Sequence, residues 1–235
     1  MLHRRAGDGL VVVGQPAHAL VAGALARAWA DPFAPRDAVR LAAEQHDVGW
    51  TEWELAPELD AATGLPYAFD DLPVPRRLAL WAGAGERLLP QSRYAALLVS
   101  LHGTLLVERF PPPPEHAALA AAFLAHERGF QETLRESLAV DPVELARNRE
   151  LVFTWDALSL VLVHGVSRPQ TVAGFGLSAD GPRVRVAPWP FREPELAVSF
   201  EGRVLGETFT DEGAMRAALD AAPWVVVELA LRPPR

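Results

Sequence analysis

The sequence predicts a mainly α-helical protein, a bundle of helices followed by a small antiparallel β module. Two observations support this fold class. Apolar residues recur at helical spacing through most of the first 168 residues. From residue 169 onward, short β-rich runs separated by turn residues replace that pattern. We therefore expect two units, a helical domain over residues 1–168 and a β-rich module over residues 169–235 that packs on it.

The first strand and the first two helices are predicted partly from the residues that end them. Residues 10–13 form a short apolar run typical of a buried strand, and the following Gly-Gln-Pro ends it and places proline at the start of a helix over residues 16–30. A second helix is expected over residues 36–47, with Gly49 ending it in the left-handed conformation. Residues 51–75 are irregular and rich in proline, and loops of this length are often functional.

Four longer helices and a β-rich module are expected after this loop. The helices have continuous apolar periodicity and span residues 76–89, 92–108, 115–138 and 143–164. The module begins with three short strands at residues 172–177, 184–187 and 196–200. Glu201 and Gly202 are typical of a hairpin turn. A short helix over residues 211–221 and a valine-rich strand over residues 224–231 complete it.

Composition excludes several classes of chemistry. The chain has no lysine and no cysteine, so it has no P-loop lysine, Schiff-base lysine, thiol nucleophile or cysteine metal site. Any metal must then be held by histidine and carboxylate. The net charge is −8 and the arginines are scattered, which argues against a nucleic-acid-binding surface. Apolar runs are too short for a signal peptide or a membrane helix, so we expect a cytoplasmic protein without membrane partners.

Several ionisable residues fall on the apolar faces of the expected helices. His18 shares a face with Val21 and Leu25, and His46 shares one with Val39 and Ala42. His102 and Asp156 have the same relation to apolar neighbours on later helices, and Asp47 follows His46 directly. A buried ionisable group is costly unless it is paired or bound to a metal. We therefore expect these side chains to point inward and to need partners.

Each of these residues has an alternative interpretation when it is taken alone. An isolated inward histidine is more often a hydrogen-bonded core residue than a metal ligand, and Asp47 could simply end a helix. Their combination favours a cation, because the chain has no lysine and arginines would have to reach each carboxylate separately. One shared divalent ion would satisfy all of them.

The order of these residues resembles that of the HD superfamily of metal-dependent phosphohydrolases, with histidine on one helix, a His-Asp pair on the next and aspartate on a late helix. The resemblance implies an HD-like helical bundle around one or two divalent ions, Mn, Fe, Mg or Zn. It also implies hydrolysis of phosphate esters or anhydrides through a metal-bound water. The ligands that it implies are His18, His46, Asp47 and Asp156.

A narrower resemblance covers nearly the whole chain. The motifs QPAHA at 15–19, HDVGWTEWE at 46–54, YAALLVSLHG at 94–103 and WDALSL at 155–160 resemble those of an uncharacterised bacterial family of HD-like proteins, and PWPF at 188–191 extends the similarity. This family has no activity that can be transferred. Some HD proteins add histidines to hold a second ion, which makes His102 a candidate ligand. His126 is a further candidate because it shares a helix face with Phe123 and Phe130.

Other residues are candidates for catalysis and substrate binding. Glu54 follows the His-Asp pair and could act as acid or base, or it could be a solvated loop residue. Trp50, Trp53 and Phe69 could line a pocket and stack on a base or ring, or they could be ordinary packing. Arg93 precedes the helix with His102 and could bind phosphate, although most arginines are surface charges.

The function that these predictions favour is metal-dependent hydrolysis of a small phosphorylated compound such as a nucleotide. Two alternatives stay open. The first is a dinuclear iron oxygenase of the HD type, for which His102 and His126 have suitable spacing. The second is a non-catalytic protein that binds a small molecule and regulates another process. The sequence does not determine the substrate, the metal or the oligomeric state.

Overall fold

The computed structural model describes residues 1–6 and 9–234. The described residues form eight α-helices and nine β-strands. The helices are α1 (Gln15–Ala28), α2 (Arg36–Gln45), α3 (Thr51–Glu54), α4 (Val74–Trp81), α5 (Arg93–Arg109), α6 (Ala117–Leu138), α7 (Pro142–His164) and α8 (Glu212–Ala221). The strands are β1 (Leu2–Ala6), β2 (Gly9–Val13), β3 (Leu59–Asp60), β4 (Leu65–Pro66), β5 (Gln170–Val172), β6 (Phe175–Asp180), β7 (Arg183–Ala187), β8 (Leu196–Leu205) and β9 (Trp224–Arg232).

The predicted fold class is wrong. The chain is about 51% helical and 21% strand, an α+β fold and not a mainly helical bundle with a small β module. Seven strands form one mixed sheet in the order β1-β2-β8-β9-β7-β6-β5, with β7 parallel to β9. Strand β1 was not predicted, because His3, Arg4 and Arg5 make it polar. Pairing of distant strands, such as β2 with β8, cannot be deduced from hydrophobic periodicity.

A predicted turn in the sheet is also wrong. Strand β8 continues through Glu201 and Gly202, which we expected to form a hairpin turn. A Cβ at Gly202 would lie 2.5 Å from Val11 Cγ1 and 3.0 Å from the carbonyl oxygen of Val12. The glycine therefore allows β2 to approach β8 closely.

The helices and the sheet share a core. Helix α1 packs on α2, α7 and β8, and α5 packs on α2, α6 and α7. Buried side chains from these helices and from the sheet form one continuous hydrophobic cluster. Trp155 of α7 is fully buried and makes an edge contact with Trp29, with ring centroids 5.7 Å apart. The division into two units at residue 168 stays a prediction, and the sheet includes strands from both sides of it.

The N-terminal strand contains a histidine whose burial predicts a pH effect. Burial, helped by the positive charge of the Met1 amino group, lowers the pKa of His3 to about 4. An unfolded histidine has a pKa of about 6.5, so the unfolded chain binds more protons than the folded one between these values. Stability should therefore fall as the pH drops from about 6.5 to about 4, by about 2–3 kcal/mol from this residue.

Urea unfolding of wild type and His3→Phe at several pH values measures this contribution. Titrating groups that are not coupled to His3 affect both proteins equally, so the difference between them reports His3 together with its coupling to Met1, His164 and Asp70. The wild type should lose more stability than the variant over this pH range. Parallel losses in the two proteins would contradict the prediction.

Candidate metal centre

Four elements bring ionisable side chains to one place. Helix α1 begins after Gly14 with Pro16 in its first turn, and the apolar face that packs on α2 and α7 also buries His18. Helix α2 ends at Gln45, so His46 and Asp47 lie in the turn that follows it. Helix α5 contributes His102 and α7 contributes Asp156. All five side chains are buried, and for all but Asp47 the apolar spacing of their neighbours predicts this.

The turn after α2 differs from the prediction at Gly49. This glycine does not end the helix in the left-handed conformation, since it is absent from the described residues with positive φ. Instead, a 3-10 turn at Val48–Trp50 leads directly into α3. A Cβ at Gly49 would collide with the carbonyl oxygen of Leu80 in α4. Glycine is thus needed here for close packing of the turn on α4.

Three ligand-type atoms form a tight triangle at the centre of the cluster. His18 Nε2 lies 3.2 Å from His46 Nε2 and 3.2 Å from Asp156 Oδ1, and His46 Nε2 lies 3.3 Å from the same oxygen. Ligands that bind one ion at about 2.0–2.1 Å lie roughly 2.9–3.4 Å apart in tetrahedral or octahedral geometry. The spacing of the triangle fits that range.

The other two side chains extend the cluster on either side. Asp47 Oδ2 lies 3.6 Å from both His18 Nδ1 and His46 Nε2. His102 Nε2 lies 3.4 Å from Asp156 Oδ2. The residues form two overlapping sets of potential ligands, which are His18, His46 and Asp47 in one and His46, His102 and Asp156 in the other.

The hydrogen bonding of the histidines suits a metal. His46 Nδ1 lies 2.9 Å from the carbonyl oxygen of Ala43, so it carries a proton and donates it, which leaves Nε2 as the nitrogen that would bind a metal in the cluster. Among the described residues, His18 Nδ1 and both ring nitrogens of His102 are buried without a hydrogen-bond partner. Orphaned buried nitrogens are costly, and a cation would satisfy those that face the cluster. The cluster could therefore hold a metal ion.

The electrostatics of the cluster also favour positive charge. Burial opposes protonation of His46, but Asp47 and Asp156 outweigh burial and raise the pKa of this imidazole to about 9. Burial also acts to raise the pKa of Asp156, yet His46 and hydrogen bonds from the neighbouring histidines hold the pKa of this carboxyl well below its usual range. The pKa shifts of His46 and Asp156 both indicate that the carboxylates attract a cation, either a proton or a metal.

A cavity of about 350 Å³ opens beside the cluster. Asp47, His102 and Asp156 form part of its wall. Helices α4, α5 and α7 supply most of the remaining wall, and Phe69 closes another part of it. Phe69 is thus the one predicted aromatic residue beside the cluster.

The other predicted substrate-binding residues lie elsewhere. Trp50 and Trp53 are buried in a second hydrophobic cluster, where their rings make an edge contact with centroids 5.8 Å apart. Neither lines the cavity next to the candidate ligands. Arg93 is exposed at the first residue of α5, also outside this cavity.

His126 and Glu54 are also separate from the cavity. The His126 side chain is 54% exposed and lies 3.6 Å from Glu86. The Glu54 side chain is 10% exposed, and Oε1 accepts a hydrogen bond from the backbone N–H of Gln15 at 2.7 Å. Burial, only partly opposed by the Met1 amino group and this hydrogen bond, raises the pKa of Glu54. These contacts hold the first residue of α1 in place.

Gln15 is a candidate functional residue that sequence reasoning did not select. Its side chain lines the cavity, and its Oε1 is buried without a hydrogen-bond partner among the described residues. Gln15 precedes His18 by three residues and so shares its helix face. That spacing was the signal that could have identified it.

The fold and the cluster define a class: an α+β protein with buried histidines and aspartates that could bind a metal beside a cavity. The chain belongs to the family described as "Protein of unknown function (DUF3891)", whose profile matches residues 1–207. This agrees with the predicted membership of an uncharacterised family. Searches of curated proteins and of solved structures gave no match. Within the described residues, no helix has the length and apolar character needed to span a membrane.

Proposed function

We propose that this protein is a metal-dependent hydrolase that cleaves a phosphate ester of a small molecule. The observation that carries the proposal is the triangle of His18, His46 and Asp156, of which Asp156 lines a cavity large enough for a small substrate. The order of the candidate ligands along the chain, which resembles the HD pattern, supports the same reaction.

The residues that would hold the metal are those of the cluster: His18, His46, Asp47, His102 and Asp156. A divalent cation held there would lower the pKa of a water molecule and offset negative charge on a phosphoryl oxygen. The overlapping ligand sets have room for one or two ions. The borderline ions Fe and Zn and the hard ions Mn and Mg all accept imidazole or carboxylate ligands, so these residues do not select one of them.

The protein residues would orient the reactants and exclude water. The bond from His46 Nδ1 to the Ala43 carbonyl fixes the imidazole, and the neighbouring histidines keep Asp156 ionised although it is buried. In the reaction the oxygen of water bonds to phosphorus, the bond from phosphorus to the ester oxygen breaks, and the alcohol leaves with a proton. Glu54 lies outside the cavity, so we assign it a positioning role on α1 through its bond to Gln15.

Metal removal and restoration test the proposal. Protein stripped with a chelator should lose hydrolysis of a panel of phosphate esters and regain at least tenfold activity with Mn, Fe, Mg or Zn. His102→Ala should reduce kcat by tenfold or more, since His102 lies in the cluster. His126→Ala is the matched control and should stay within twofold, because His126 is exposed and apart from the cluster.

Two results would contradict the hydrolase. One is inactivity of every metal-loaded sample across the whole panel, and the other is full activity after metal removal. Oxygen uptake by an iron-loaded sample that hydrolyses no ester would favour the dinuclear iron oxygenase instead.

A further inference from the structure

The walls of the cavity beside the cluster are mostly apolar. Each of three helices turns one face toward it, and Phe69 adds an aromatic ring. The apolar wall is formed chiefly by Leu78, Trp81, Leu106, Phe110 and Phe153. A cavity of this kind binds an apolar group by removing its surface from water.

The polar groups of the cavity are few. The candidate metal ligands Asp47, His102 and Asp156 lie in its wall, and so does a further acidic residue, Asp70. Gln15 lines the cavity too, and its side chain is 2% exposed with an unpartnered Oε1. A buried amide oxygen is an acceptor, so a ligand group that donates a hydrogen bond would satisfy it.

Positive charge in the cavity wall comes from one side chain among the described residues, Arg77 of α4. Its guanidinium donates to the backbone oxygen of Asp70 at 3.2 Å and lies 5.7 Å from the centre of the Trp81 ring. Within the described residues it makes no ion pair, but the charge of Asp70, which also lines the cavity, partly stabilises the guanidinium, so part of its charge remains available to an anion. Nucleoside polyphosphates have several negative charges and many polar atoms, which this wall does not match.

We propose that the substrate is a phosphate monoester of an apolar alcohol, with an aryl or medium-length alkyl group, and not a nucleotide. This inference rests on the proposed hydrolase function and adds the substrate class. The phosphate lies at the cluster, where an oxygen that carries a proton would donate to Gln15 Oε1, and the apolar group lies against α4, α5 and α7. Arg77 supplies the positive charge that favours an anionic ligand.

Binding of phosphonates, which resist hydrolysis, tests the substrate class on the metal-loaded wild type. Isothermal titration calorimetry should give octylphosphonate and phenylphosphonate at least tenfold higher affinity than methylphosphonate, because each buried methylene contributes about fourfold. Adenosine monophosphate should bind no more tightly than methylphosphonate. Equal affinities across the series, or tighter binding of adenosine monophosphate, would overturn the proposal.

A variant that fills the cavity provides a second, independent test. Leu106 follows His102 by one helical turn on the cavity face of α5, so Leu106→Trp should reduce octylphosphonate affinity tenfold or more. Methylphosphonate affinity and metal content should stay unchanged. Leu119→Trp is the control, because Leu119 is exposed on α6 and does not line the cavity. An equal loss for both phosphonates in the Leu106 variant would overturn the assignment of this wall to the apolar group.

Hydrolysis rates distinguish failure of this inference from failure of the proposed function. If apolar phosphonates bind preferentially but no ester is cleaved with any metal, the assigned ligand class is supported and the hydrolase is not. If methyl, phenyl and nucleoside phosphates are all cleaved with equal kcat/KM, the hydrolase is supported and the substrate class is overturned.

Discussion

Asp156→Ala is expected to lower metal affinity by more than about 100-fold. Asp156 lies within 3.2–3.4 Å of nitrogens of three histidines and is the acidic residue most central to the cluster. Loss of a residue that only supports a metal ligand typically reduces affinity 10–100-fold, so loss of a ligand should exceed that range. Without Asp156, a divalent ion would be left with Asp47 as its only neighbouring carboxylate in the cluster.

Elemental analysis after incubation with Mn, Fe and Zn, followed by competition with a chelator, measures this loss. Asp156→Asn keeps the shape of the side chain, removes its charge and should also lose the metal. Asp180→Ala is the matched control, because Asp180 is an exposed carboxylate at the end of β6. Wild-type metal content in a folded Asp156→Ala protein would contradict the proposed ligand set.

Gly49→Ala should destabilise the protein by about 3 kcal/mol, the upper end of the usual cost of overpacking. The new methyl group would collide with the Leu80 carbonyl oxygen and lie 3.1 Å from the carbonyl carbon. Backbone atoms cannot move aside as a flexible side chain can. The turn at Val48–Trp50 or helix α4 must then shift, and Asp47 lies directly before that turn.

Denaturant unfolding of the metal-free protein measures this cost. Gly129→Ala is a control with the opposite sign: Gly129 lies inside α6, and an added Cβ there has no neighbour within 4 Å. Alanine at that exposed helical position should stabilise the protein by about 1 kcal/mol. A neutral Gly49→Ala substitution would show that the turn moves away from α4 without cost.

The central residues of the candidate site could be predicted because periodicity marks the buried face of a helix. His18, His46, His102 and Asp156 each stand at helical spacing from apolar residues, and all are buried. Periodicity does not give the distances between helices. It therefore could not show that His102 approaches Asp156 while Trp50 and Trp53 pack in a separate core.

Helix α6 shows why the same reasoning placed His126 on a buried face. The buried face of α6 includes Glu127 and Gln131 in place of apolar residues. Ser100 donates to Glu127 at 2.6 Å, and Gln131 donates to Ser100 at 3.0 Å. Polar residues that form hydrogen bonds with one another can replace apolar ones in a core. The apolar pattern therefore predicted a buried face that is displaced by one residue from the observed one, with His126 in place of Glu127.

The sheet differs most from the prediction. Part of the difference comes from local sequence features, and part comes from the pairing of strands that are distant in the chain. Strand β1 was not predicted because its residues are polar. Gly202 was interpreted as part of a turn although it lies within a ten-residue strand. The helices from α5 to α7 were predicted to within two residues at each end, because capping residues such as Ser92 and Asp141 mark them. Caps are local signals, whereas strand pairing depends on residues far apart in the sequence.

The position of β9 between β8 and β7 sets an order of events during synthesis on the ribosome. All five residues of the candidate metal centre have been translated once Asp156 is made, but the strand that joins the two halves of the sheet follows only at Trp224–Arg232. Until then β7 and β8 are nascent strands with open edges, and such edges invite pairing with other chains. We expect this interval to be the one in which a nascent chain depends most on chaperones.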